Sequence, residues 1–193
     1  MLYRIDPWRN IDWFSTEENI KKQIEKYLSY GANINEQVGF LGTVLNEAVF
    51  LRTYKVAQML LENKADPNIA DYSGSTALHY AVCGKSRQMI EKLIFYGANI
   101  NAKDKYGVTP LHLAVKGDDM DLVAFLVKKG AEWTPIKQDC IDKAFIAKPI
   151  RLVGEKESPK ERSRKAAKLM VIGKKYGHQA RRIVADIMKQ KTR

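Results

Sequence analysis

Gly97-Ala-Asn-Ile-Asn-Ala-Lys-Asp-Lys-Tyr-Gly-Val-Thr-Pro-Leu-His-Leu-Ala114 is the stretch on which the fold of this chain turns. Its opening is echoed by Gly31-Ala-Asn-Ile-Asn35, Lys64-Ala-Asp-Pro-Asn68 and Gly130-Ala-Glu-Trp-Thr134, each 33 residues from the next. Its end is echoed in the same step by Thr43-Val-Leu-Asn46 and Thr76-Ala-Leu-His79, which precede Thr109-Pro-Leu-His112. Two unrelated motifs held in phase at one period mark an internal repeat, and a period between 20 and 50 residues marks a stacked architecture.

The residues between the motifs say what one repeat contains. Thr76 and Thr109 sit where a short helix starts, and their hydroxyls suit its free N–H groups. Pro110 fits the first helical position, where no N–H is needed. Leu78, Ala81 and Val82 then fall on one face of that helix. A second helix carries Met89, Ile90, Leu93 and Ile94, and Gly97 supplies the left-handed residue that ends it. Such a helix pair cannot bury its apolar face alone, so neighbouring pairs must stack.

The 33-residue step and Thr109-Pro-Leu-His-Leu-Ala114 resemble the ankyrin repeat family, over about residues 31–134. The resemblance implies an all-α ankyrin-repeat solenoid, with two antiparallel helices per repeat and a β-turn finger projecting from each. The expected organisation is an N-terminal capping half-repeat at 1–30 and three repeats at 31–134. A truncated C-terminal cap at 135–150 and a C-terminal basic helical extension at 151–193 follow. Ile20, Gln23, Ile24, Tyr27 and Leu28 take the second-helix register in the first cap, behind Trp8 and Trp13. In the second, Asp139 caps a short helix with Ile141, Ala144 and Phe145 before Pro149.

One finger departs from the pattern. Glu36-Gln-Val-Gly-Phe-Leu-Gly42 lacks the Asp and Gly that recur as Asp71/Gly74 and Asp104/Gly107, and Asn46 stands in place of the histidine. That finger is expected to be distorted or retuned for a ligand.

Little in the chain suggests chemistry. His79 and His112 share one repeat position, so each is expected to be hydrogen-bonded within the stack. His178 has no Cys or acid at ligand spacing, and no Cys pair or HExxH arrangement suggests zinc. Gly39 and Gly42 lack the Lys and Ser/Thr of a phosphate cradle. Cys83 reads as a bystander thiol, and Asp118, Asp119 and Asp121 as a solvated acidic turn. The chain is expected to be no enzyme and to need no cofactor or metal.

By resemblance, finger tips and first-helix ends form a concave groove that holds other proteins. Mapped onto this chain, the groove takes Gln37, Gly39, Phe40, Phe50 and Leu51, then Ala70, Tyr72, Ser73, Ser75 and Cys83, then Lys103, Lys105, Tyr106, Val108 and Lys116. Phe40, Phe50, Leu51, Tyr72 and Tyr106 make an aromatic and aliphatic strip of the kind that anchors interfaces. Phe40 and Phe50 packed under an irregular finger is the competing reading. Lys103, Lys105 and Lys116 would select an acidic neighbour.

The charge lies elsewhere. Residues 148–193 hold nine Lys and six Arg against four acids, which equals the whole net charge of +11, while residues 1–147 balance at 18 of each sign. Ser158-Pro-Lys-Glu161 is a helix start. Leu169, Met170, Ala180, Ile183, Val184, Ile187 and Met188 run on as a stripe, kinked near Gly173 and Gly177. Three readings stand: the stripe docks on the last repeat; Arg162, Arg164, Lys165, Lys168, Lys174, Lys175, Arg181 and Arg182 bind nucleic acid, acidic protein or anionic lipid; or Lys160–Lys165 is a nuclear-import or secretion address. With only Tyr176 among the charges, base stacking is not expected.

Of 193 residues, 45% are hydrophobic and 28% charged, an ordinary globular balance. Cys83 and Cys140 are too few for a disulfide framework, which suggests a reducing compartment. The longest apolar run, Leu122–Val127, is far short of the ~20 residues of a membrane span, and Arg4 and Asp6 interrupt any secretory leader at once. The expectation is a soluble cytoplasmic protein, with the nucleus or a host cell as further destinations. Its expected function is non-enzymatic protein–protein recognition through the groove, as an adaptor or secreted effector, with anionic-surface binding through the tail as the alternative.

Overall fold

The computed structural model describes residues 7–133 together with Arg182, Val184 and Ala185. The expected cap at 135–150, the other tail residues of the anionic-surface reading, Cys140 and His178 lie outside the described residues. The chain divides into two compact units, Met1–Lys105 and Tyr106–Arg193. Among the described residues the fold is an all-α repeat fold, as the period predicts: α1 (Glu17–Ser29), α2 (Val44–Phe50), α3 (Tyr54–Glu62), α4 (Ala77–Cys83) and α5 (Arg87–Phe95) in the first unit, α6 (Pro110–Lys116) and α7 (Met120–Lys128) in the second.

In the first unit the short helices α2 and α4 pack against each other, and α1, α3 and α5 form a second row, so each helix pair is clamped to the next. The interior is Val44, Leu45, Ala48 and Val49 from α2, Val56, Ala57, Leu60 and Leu61 from α3, and Leu78, Ala81, Met89, Ile90 and Leu93 from α4 and α5. In the second unit α6 packs on α7. Trp8, in a short 3-10 turn at Pro7–Asn10, is buried, gives its indole N–H to the Asn33 carbonyl (2.9 Å) and meets Tyr27 edge-on.

Capping explains the boundaries. In α6 the Thr109 hydroxyl accepts from the His112 N–H, and the His112 Nδ1 accepts from the Thr109 N–H at 3.0 Å. Thr76 and His79 make the reciprocal Nδ1 contact at 3.1 Å. Since a backbone N–H can only donate, both imidazoles accept at Nδ1 and carry their proton on Nε2 when neutral. The two histidines are fully buried helix-cap residues. Asp119 caps α7 by accepting from the Leu122 N–H (3.0 Å), so it is more than part of a solvated acidic turn.

At their C-termini the second helices end in paired hydrogen bonds that require a left-handed residue. After α5, Gly97 (φ 88°) donates to the Ile94 carbonyl and Ala98 to the Leu93 carbonyl. The loops beyond are joined by their asparagines. Asn35 Oδ1 accepts from the Asp66 N–H at 2.8 Å, Asn68 Oδ1 accepts from the Asn99 N–H at 2.7 Å, and the Asn68 amide donates to the Gly97 carbonyl. This ladder gives Asn35 and Asn68, the last residues of their repeat motifs, a role that the sequence reading left unassigned.

Candidate partner-binding surface

The second finger is built around one carboxylate. Asp71 Oδ1 accepts from the Ser73 N–H (2.7 Å), the Ser73 hydroxyl (2.7 Å) and the Ser75 N–H (2.9 Å), and its Oδ2 takes the Tyr80 hydroxyl. Asp71 and Tyr80 are both buried, so the finger is tied to α4 by a carboxylate with every donor it needs. Burial, then the bond and charge of Asp71, push the Tyr80 phenol far above its ordinary range. This places the Tyr72 backbone beside α4. The neighbouring finger approaches closely: a Cβ on Gly74 would lie 2.7 Å from the Lys105 nitrogen, and the Lys105 N–H donates to the Ser73 carbonyl (3.0 Å). Only glycine permits that approach, which holds the Lys105 backbone against Ser73, the residue after Tyr72.

The first finger departs from the pattern in its turn and keeps its closing pair. Missing Asp and Gly suggested distortion, and the left-handed residues are indeed displaced, yet Val38 N–H still pairs with the Gly42 carbonyl, as Asp71 pairs with Ser75 one period on. The reason is that this pairing is main-chain. Val38 fills the buried place of the aspartate, and Gly39 and Gly42 supply the left-handed residues at shifted positions. Gln37 then donates from its side-chain amide to the Ala70 carbonyl (2.8 Å), joining the first finger to the second. Asn46 donates to the Ile69 carbonyl (3.1 Å), while its buried Oδ1 has no partner.

Exposure decides which sequence candidates are surface. Phe40 is 63% exposed, Tyr72 61%, Phe50 47% and Leu51 41%, all in the first unit. Phe40 and Phe50 are therefore not packed away under the finger, although Phe50 rests its ring on the edge of Tyr80 (5.6 Å). Lys103 and Lys105 are exposed, as is Tyr106 in the second unit. Three candidates fail. Val108 and Ser75 are buried. Lys116 is only 7% exposed, at the end of a helix whose residues are all buried. Cys83 is half-buried.

Glu47, on α2, was not among the candidates. Burial lifts its carboxyl above the usual range, and the Trp13 indole bond lowers it by less. Among the described residues no cluster of His, Cys, Asp and Glu could hold a metal ion, and no helix is long and apolar enough to cross a membrane. Arg182, of the residues in the anionic-surface reading, is helical and exposed.

Known proteins bear on this arrangement. The family model described as ankyrin repeats in three copies matches residues 15–104 and again residues 45–137. An ankyrin repeat protein of Acanthamoeba polyphaga mimivirus is 32% identical over 69 residues, 32% of this chain and 12% of its own length. The chain thus spans about an eighth of the length of the curated relative it matches.

Proposed function

The chain belongs to the ankyrin repeat family, whose members generally serve as non-enzymatic protein-interaction modules, and from that premise we propose that its first unit holds a partner protein. Phe40, Phe50, Leu51 and Tyr72 are the anchors, and Lys103 and Lys105 favour an acidic stretch beside them. The observation that carries this reading is the exposure of four large apolar side chains on fingers and a helix end whose backbones are rigidly tied. Buried elsewhere, such side chains would stabilise the fold; kept in water, their worth is realised on binding. The roles of adaptor or delivered effector belong to the same reading, as does Tyr106 within its own unit.

The experiment is a capture from cell extract with the full chain and with Phe40→Ala/Tyr72→Ala, at low and high salt. Removing two anchors at about 2 kcal/mol each weakens binding by roughly 700-fold, against ~30-fold for one alone, while circular dichroism stays unchanged. A folded double variant that retains every partner refutes the assignment. Binding that ignores the double variant but collapses with salt moves recognition to the basic tail, the second reading.

A further inference from the structure

Gln58, on α3, reaches forward along the stack and accepts from the Lys92 ammonium of the following pair (2.7 Å). One period on, Glu91 takes the same place on α5 and is exposed. Two periods on, that place is Ala124 on α7, which is fully buried. No further helix pair follows α7 among the described residues, yet the forward position of the last pair is both apolar and covered. Leu113 and Lys116 of α6 are buried in the same unit, at positions where α2 carries half-buried Glu47 and exposed Phe50. Something covers the third helix pair that does not cover the first.

We propose that the cover is the chain's own C-terminal segment around Arg182–Ala185, which closes the end of the repeat stack with its apolar side and turns its basic side outward. Sixty residues follow Trp133, ample chain to return. Val184 is fully buried and helical, Arg182 is helical and exposed, and both belong to the same compact unit as α7. Two residues apart, they stand about 200° around a helix, on opposite faces. In sequence Val184 belongs to the apolar stripe with Ala180, Ile187 and Met188.

Amide exchange followed by mass spectrometry on the full chain tests this, comparing Val184→Asp with Arg182→Asp. Seating by Val184 predicts that peptides spanning Met120–Lys128 exchange about tenfold faster or more in Val184→Asp, are unchanged in Arg182→Asp, and that Tyr54–Glu62 keeps its protection in both. Equal protection of α7 in the two variants overturns the proposal, as does α7 protection that rises with protein concentration, which would make a second copy the cover. If Val184→Asp unfolds the whole chain, Val184→Ala decides by the same comparison.

Discussion

Lys64→Gly should stabilise this protein although it deletes a whole side chain. Lys64 follows α3 with φ 67°, donates to the Leu61 carbonyl, and is followed by Ala65 donating to the Leu60 carbonyl. The same two bonds close α5 through Gly97 and α7 through Gly130, so Lys64 occupies a glycine's place. A left-handed residue bearing a Cβ costs roughly 1–2 kcal/mol. Glycine returns about 0.5–1 kcal/mol of that through its freer unfolded chain. The Lys64 side chain is exposed, so no packing is lost. The net is a gain of about 0.5–1 kcal/mol, or ~1–4 °C in Tm for a chain of this size. Urea and thermal unfolding monitored by circular dichroism measure it. The mirror variant, Gly97→Ala, meets nothing within 4 Å of its new Cβ, so its loss should report the same backbone strain with opposite sign. A drop in Tm for Lys64→Gly, or no loss for Gly97→Ala, would refute the argument.

Tyr80→Phe leaves the Asp71 carboxylate buried with its Oδ2 donor gone, and should cost about 1–3 kcal/mol by urea unfolding while the helix content is retained. Glu47→Gln should stabilise near neutral pH, because burial disfavours the carboxylate and glutamine can still accept from Trp13. The sign follows from a folded-state pKa above the unfolded one. Wild type recovers stability as the pH falls through the raised value, so the variant's small advantage in Tm is present at pH 7 and vanishes below about pH 4.

The scaffold was legible because it depends on interactions that recur. Thr76 and Thr109 before a short helix, a histidine three residues later, and Gly97 after a long one each have one local structural solution, and the structure holds the histidine contact at both His79 and His112. In the first finger the missing Asp and Gly marked a changed turn but not the main-chain pair that closes it. The first finger pairs Val38 with Gly42 without aspartate, since the pairing needs only an N–H, a carbonyl and residues free to turn. Asp71 could be seen as a turn residue, but not as the acceptor for Tyr80, which lies nine residues on and reaches back only once α4 is formed.

The candidate surface was legible only in part, and positions 50, 83 and 116 show why. They share one register, and the period places all three on the same face of successive first helices. Yet Phe50 is about half exposed, Cys83 is half-buried and Lys116 is enclosed. Periodicity specifies where a Cβ points relative to its own helix pair; it carries no information about what else arrives there. An exposed phenylalanine and a buried lysine at equivalent positions reverse what composition alone would assign, since lysine is seldom enclosed without partners to meet its charge. Two kinds of surface follow from one repeat. At the first pair, Phe50 and Leu51 are exposed; at the third, Lys116 in the register of Phe50 is buried, which sets it apart from a solvent-facing lysine.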